Sequence, residues 1–173
     1  MSQTTLDIKE PGLNVLPPGV ERHVVNAGGL TGLQIFPDDE IEIINEEGNQ
    51  ICEIICFDKD GKSELGILNQ KENCKKSFIK ELLKGKDESS LITNLQLKKR
   101  NLDINKSKSS ILFDEQTPSG EKIKIKSKDK CYVIFAAPQN NMLVSEQNPS
   151  SDLTLFIKRY KIVNDKELSI IPD

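Results

Sequence analysis

Residues 48–58, GNQICEIICFD, decide how we expect the chain to fold. The stretch is rich in isoleucine and is bounded by turn residues on both sides, which predicts a β-strand over residues 50–57. Residues four positions apart on a strand are separated by about 13 Å, whereas a disulfide requires Cα atoms within about 7 Å. The predicted strand therefore excludes a bond or a zinc ion shared by Cys52 and Cys56.

The alternation of a strand divides the side chains of this stretch between two faces. Cys52 and Cys56 point to one face, and we expect both thiols to be buried as small hydrophobic groups. Glu53 points to the other face, among isoleucines and a phenylalanine. We expect this carboxylate to face solvent at a strand edge; the alternative is a pocket within the protein.

Strands also precede this stretch. Residues 22–28 predict a first strand, and the glycines of residues 28–32 predict a turn. Residues 33–47 alternate so that Ile41 and Ile43 share one face. Turn residues follow at 47–49, so the sequence predicts a hairpin of two long strands.

The second half of the chain predicts one helix and further strands. Residues 74–84 carry an apolar stripe with helical spacing, a cap at Asn73 or Ser77, and Gly85 at the end. Residues 88–108 are ambiguous between helix, strand and loop. The remaining segments read as strands at 111–115, 122–126, 131–138 and 152–163. The fold class predicted is mostly β, an antiparallel β-sandwich or barrel with a short helical insertion around residues 74–84.

The domain organisation follows from the same patterns. Residues 1–19 are rich in proline and glycine and predict an extended lead-in arm. Residues 20–163 predict one β-rich domain. We expect residues 164–173 to be a tail that links to a further C-terminal domain.

Composition limits the classes of function. The 173 residues carry a net charge of -3, and no stretch reaches the roughly 20 apolar residues of a membrane span. An acidic segment (38–64) and a basic segment (98–108) predict two solvated surfaces. No apolar signal segment opens the chain, and its four cysteines are irregularly spaced. We therefore expect a cytoplasmic protein that binds neither nucleic acid nor membrane.

Few residues are candidates for chemistry. His23 is the single histidine, and it would need Cys52 or Cys56 as nucleophile and Glu53 as a further acid. The weak catalytic candidates are thus Glu53, His23 and Cys52. Residues 58–64, DKDGKSE, have glycine at the fourth position, where a calcium loop needs it at the sixth. We predict no cofactor and no metal in this chain.

Two parts of the sequence resemble a known family. Residues 21–58 resemble the opening of the urea-carboxylase-associated protein family, in which an arginine-led strand and an Ala-Gly turn precede a glycine- and glutamine-containing hairpin. The matching positions are Arg22, Ala27, Gly28, Gly48, Asn49 and Gln50. Residues 117–143 and 152–160 are similar to the variant found at the N-terminus of bacterial aminomethyltransferase-family proteins, which resemble the glycine-cleavage T protein and use tetrahydrofolate.

The resemblance implies a non-catalytic N-terminal accessory domain that helps to enclose the substrate of a tetrahydrofolate-dependent protein. Its partner would be a downstream domain of the same protein or a second copy, and the folate would bind in the larger protein. Stand-alone family members carry Cys- and His-containing segments that are absent here. Two alternatives stay open: a small hydrolase or deiminase acting on an amide or guanidine compound, and a protein-interaction module.

Overall fold

The computed structural model describes residues 16–139 and 150–164. Its strands are β1 (Val20–Val25), β2 (Leu30–Ile35), β3 (Glu40–Asn45), β4 (Cys52–Asp58), β5 (Ser109–Phe113), β6 (Glu121–Lys126), β7 (Cys131–Ala136) and β8 (Leu153–Lys158). Its helices are α1 (Phe78–Leu82), α2 (Glu88–Lys99) and α3 (Tyr160–Asn164), with short 3-10 turns at Leu65–Leu68 and Ile104–Lys106.

The strands form two four-stranded antiparallel sheets. The first has the order β1-β8-β3-β6 and the second the order β2-β7-β4-β5. Among the described strands the sheets stay separate, so the predicted β-sandwich is confirmed and the barrel alternative is not. The alternating pattern of apolar and polar residues predicted this architecture because each sheet buries one face against the other.

The hairpin predicted from β3 and β4 is wrong. β3 pairs with β6 and β8, whereas β4 pairs with β5 and β7 in the other sheet. The turn at residues 47–49 carries the chain across the sandwich, with Gly48 at φ +80° and the Asn49 amide donating to the Thr117 carbonyl at 2.7 Å. The apolar faces of the two strands therefore oppose each other across the core.

The strand predicted at residues 50–57 is confirmed as β4. Cys52, Ile54 and Cys56 are wholly buried in the core between the sheets, together with Ile41 and Ile43 of β3. The predicted central strand at 131–138 is also confirmed, since β7 is buried along its whole length between β2 and β4. The lysine-rich strand lies at the sheet edge, as its composition indicates.

The helical insertion covers the outer face of the second sheet. Ser77 caps α1 by accepting a hydrogen bond from the Lys80 amide at 3.2 Å, which confirms the predicted helix and one of its two predicted caps. The ambiguous segment at 88–108 contains α2. Side chains of both helices pack on residues of the sheet's outer face: Ile79, Leu83 and Leu97 contact the group containing Leu30, Ile55, Phe57, Tyr132 and Ile134.

Several predicted boundaries move. β1 ends at Val25 and not near residue 28, and the predicted last strand ends at Lys158, where α3 follows. The glycine turn is confined to residues 27–28, so Gly32 lies within β2. A Cβ at Gly32 would lie 1.8 Å from the Tyr132 hydroxyl oxygen, so this glycine makes room for the tyrosine.

Most of the predicted lead-in arm (residues 1–15) and most of the predicted tail (residues 165–173) lie outside the described residues. In the part of the chain that the structure describes, no helix combines the length and the apolar character needed to cross a bilayer. The longest of these helices, α2, has 12 residues.

Candidate functional site

Glu53 lies beneath the start of α1 and is completely buried, so the expectation that it faces solvent is wrong. One carboxylate oxygen accepts hydrogen bonds from the Phe78 amide at 2.7 Å and the Ile79 amide at 3.0 Å. The other accepts from the hydroxyls of Ser77 and Ser109, both at 2.6 Å. Four donors thus replace the water that this carboxylate loses on burial.

The position of Glu53 has a local cause. Helix α1 directs its unpaired N-terminal amides at the carboxylate, where a negative charge is also favoured by the helix dipole. Ser77 belongs to the same helix start and Ser109 to the neighbouring strand β5. The carboxylate therefore joins the helical insertion to the second sheet. Its four hydrogen bonds serve this structural role.

The thiols lie on the opposite face of β4. Cys52 is fully buried, and burial together with the negative charge of Glu53 raises the pKa of its thiol. The pKa of Cys56 is also raised, by a hydrogen bond with Cys131 and by burial. A raised pKa keeps a thiol protonated, whereas nucleophilic cysteines act as thiolates. The arrangement disfavours either residue as a nucleophile.

His23 lies apart from both groups. It occupies β1, the edge strand of the first sheet, and its Nε2 is 3.0 Å from the Glu21 carboxylate. Glu53 belongs to the second sheet and faces α1, away from the first sheet. The structure therefore does not bring His23, Cys52 and Glu53 into one pocket. Among the described residues, no group of three or more His, Cys, Asp or Glu side chains is placed to hold a metal ion.

An ion-pair network surrounds Arg159, and no pattern in the sequence predicts it. Its guanidinium contacts Glu21 through Nε at 2.9 Å and Nη2 at 3.0 Å, and donates from Nη1 to Asp39 and to the Gln34 carbonyl, both at 2.8 Å. Asp39 is only 1% exposed. The hydrogen bonds from Arg159 lower the pKa of Glu21. Because the partners lie 120 or more positions away, local patterns do not reveal them.

A concave feature of the described surface lies between the β1–β2 turn and α2. Its volume is about 620 Å³. The lining comprises residues 26–32 together with Asp87, Glu88, Ser89, Ile92, Thr93 and Gln96. Ser89 ties the two walls together, because its hydroxyl accepts a hydrogen bond from the Leu30 amide at 3.4 Å. Two carboxylates, Asp87 and Glu88, make the lining acidic, and apolar side chains such as Leu30 and Ile92 share it with polar groups.

Tyr132 supports the same region from below. Its hydroxyl donates a hydrogen bond to the Gln96 side chain of α2. The Arg100 guanidinium lies 4.5 Å from the centre of the ring, and also donates to Gln34 at 2.6 Å. Burial raises the pKa of Tyr132 to about 12, although the Arg100 charge opposes this effect. The phenol therefore stays neutral and fixes α2 on the second sheet.

Comparison with known proteins shows similarity to a much longer enzyme. The trimethylamine-oxide aldolase of Ruegeria pomeroyi is 34% identical over 152 residues, which make up 88% of this chain. The chain spans 19% of the aldolase's length, so the match corresponds to one part of a larger protein. No family model matches the chain. No solved structure matches it either.

Proposed function

We propose that this chain is a non-catalytic accessory module of an enzyme that resembles trimethylamine-oxide aldolase. One observation carries the proposal: 88% of the chain aligns at 34% identity with only 19% of that enzyme. The aldolase itself contains much more chain than this module, which supports the proposal. The proposal places catalysis in that other part.

The arrangement of the candidate residues supports a non-catalytic role. A nucleophile and its base must approach within hydrogen-bonding distance of each other. Cys52 lies in the sandwich core, His23 lies on the edge strand of one sheet, and Glu53 is saturated by four donors. These positions disfavour the hydrolase and deiminase alternative.

The enclosing role rests on the cavity between the β1–β2 turn and α2. At about 620 Å³ it has the size of a small-molecule site, but it is open on one side. A module with such a concavity can form one wall of a site whose other wall belongs to a neighbouring domain. A small methylated amine compound, such as the one named for the relative, is the class of substrate we propose for it.

Tetrahydrofolate, which the resemblance implies for the whole enzyme, does not fit this cavity. The lining has two carboxylates, Asp87 and Glu88, and neither a basic nor an aromatic side chain. The carboxylates of a folate are anionic, so this acidic lining would repel them. The flat ring of a folate would find no aromatic side chain to stack on. We therefore propose that any folate is bound by the remainder of the larger enzyme.

The proposal is tested with trimethylamine N-oxide as substrate and the decay of its methyl signal in proton NMR as the readout. We expect the isolated chain to consume no substrate above a blank. The aldolase of Ruegeria pomeroyi should lose turnover when its matching 152-residue segment is deleted, and recover part of it when this chain is inserted in that place. A matched control is the same deletion filled with a flexible linker of equal length.

Two results would overturn the proposal. Turnover by the isolated chain, abolished by Cys52→Ser or His23→Gln, would make the module catalytic. Full activity of the aldolase after deletion of the segment, with unchanged KM, would remove both the accessory and the enclosing role.

A further inference from the structure

Helix α2 carries most of its apolar residues on its solvent-exposed face, whereas a helix that packs only on its own sheet would bury them. The residues that it buries include two polar ones, Ser90 and Thr93, beside Leu97. Its solvent face carries Leu91, Ile92 and Leu95, which are 52%, 47% and 66% exposed. The helix thus presents a continuous apolar stripe outward, which marks an interaction surface more often than a bare surface.

Charges of opposite sign close the two ends of this stripe. Glu88, Ile92, Leu95 and Lys99 follow one another at intervals of four, three and four residues, which places them on one helix face. Lys98 extends the basic end. Among the described residues, no ion pair involves Glu88, Lys98 or Lys99. We call this face, Glu88 to Lys99 through Leu91, Ile92 and Leu95, the α2 stripe.

We propose that the α2 stripe binds the α2 stripe of a second copy of this chain, with the two helices antiparallel about a twofold axis. A register centred between Thr93 and Asn94 places Ile92 opposite Leu95 of the second copy. The same register places Glu88 opposite Lys99. This one arrangement therefore matches Ile92 with Leu95 and Glu88 with Lys99, and a twofold axis uses each match twice.

The order of the charges along α2, acidic at its start and basic at its end, favours a second copy of this chain as the binding partner. An antiparallel copy presents base to acid and acid to base along a length of about 17 Å. A parallel copy would place like charges together at both ends, which is unfavourable. Because each copy contributes only one helix face, the contact is small, and we expect a dimer with a dissociation constant of roughly 100 µM.

The apolar part of the surface is tested by sedimentation equilibrium over a concentration series. We expect the wild-type chain to dimerise and the double variant Leu91→Ser, Leu95→Ser to stay monomeric at all concentrations. Both side chains are about half exposed or more, so the variant should keep its fold. Far-UV circular dichroism and amide NMR spectra check this directly.

The antiparallel register is tested by charge reversal. Glu88→Lys and Lys99→Glu should each weaken the homodimer roughly ten- to thirtyfold, because each variant turns two attractive pairs into two repulsive ones. Mixing the two variants should restore a dimer, since each variant then meets the opposite charge. The double variant Glu88→Lys, Lys99→Glu should also dimerise. Matched controls are Glu47→Lys and Lys106→Glu, two exposed charges outside the stripe.

Three outcomes would overturn the inference. The first is a wild-type chain that remains monomeric at the highest soluble concentration. The second is a dimer that survives the paired serine substitutions, which would place the contact elsewhere. The third is a mixture of the two reversal variants that associates no better than either alone. Glu88 and Ile92 also line the cavity between the β1–β2 turn and α2, so a dimer through the stripe would cover part of that wall. Sedimentation needs no substrate, so failure of the dimer and failure of the accessory role are distinguishable.

Discussion

Replacing Glu53 by alanine should remove a large part of the protein's stability. The substitution leaves two backbone amides of α1 and the hydroxyls of Ser77 and Ser109 without their acceptor in a fully buried site. A hydrogen bond to a charged group contributes about 1.5–3 kcal/mol, and stranding a buried donor costs about 1–3 kcal/mol. Burying the carboxylate offsets part of this gain.

We therefore expect Glu53→Ala to lower the free energy of unfolding by about 4 kcal/mol, against a total of about 5–15 kcal/mol for a domain. Glu53→Gln should lose about 1–2 kcal/mol, because its oxygen still accepts from both amides. Its NH₂ group then donates to serine hydroxyls, which can accept as well as donate.

Urea denaturation followed by circular dichroism gives these free energies by linear extrapolation. Glu40→Ala is the matched control, because Glu40 is exposed on β3 and takes part in no ion pair among the described residues. It should change the free energy of unfolding by less than about 0.5 kcal/mol. A loss below about 1 kcal/mol for Glu53→Ala, or a glutamine variant as damaged as the alanine variant, would refute the reasoning.

Three further outcomes follow from the buried polar groups. Arg159→Met leaves the buried Asp39 carboxylate without its cation and should lower the free energy of unfolding by about 3 kcal/mol, again measured in urea. In alkylation with iodoacetamide under native conditions, Cys74 should react and Cys52 should not, because only the second thiol is fully buried; both should react in urea, and fast native labelling of Cys52 would contradict its placement. Because burial raises the pKa of Tyr132 to about 12 from its ordinary 10, the folded state binds this proton more tightly than the unfolded state, so stability should fall as the pH rises above 10. Tyr132→Phe should lack that fall in urea titrations at successive pH values.

The strands were predictable where burial is one-sided or complete. The alternation in β3 and the uninterrupted apolar run of β7 are each consequences of where the side chains point, and both patterns are local. The pairing of β3 and β4 was not predictable from the turn between them. The turn chemistry at residues 47–49 suits a hairpin and a crossing between sheets equally, and the choice depends on strands more than 60 residues later.

The candidate site was less predictable, for reasons visible at single residues. Glu53 was predicted to be exposed because a lone acid among isoleucines usually is. The hydroxyls that make its burial possible belong to Ser77 and Ser109, 24 and 56 positions away, so the local sequence does not reveal them. Helix α2 was ambiguous because its apolar residues face outward and its buried face is partly polar. A periodicity that assumes burial of the apolar side cannot locate such a helix.

The position of β8 has a consequence for how the protein is made. It is the last strand of the described chain, yet it lies between β1 and β3 and joins them into one sheet. Until Leu153–Lys158 has left the ribosome, the nascent chain exposes the unpaired edges of β1 and β3. Such edges are templates for aggregation. β1 and β8 must meet before the first sheet is complete, so we expect slow folding and a nascent chain that depends on protection until Leu153–Lys158 has emerged.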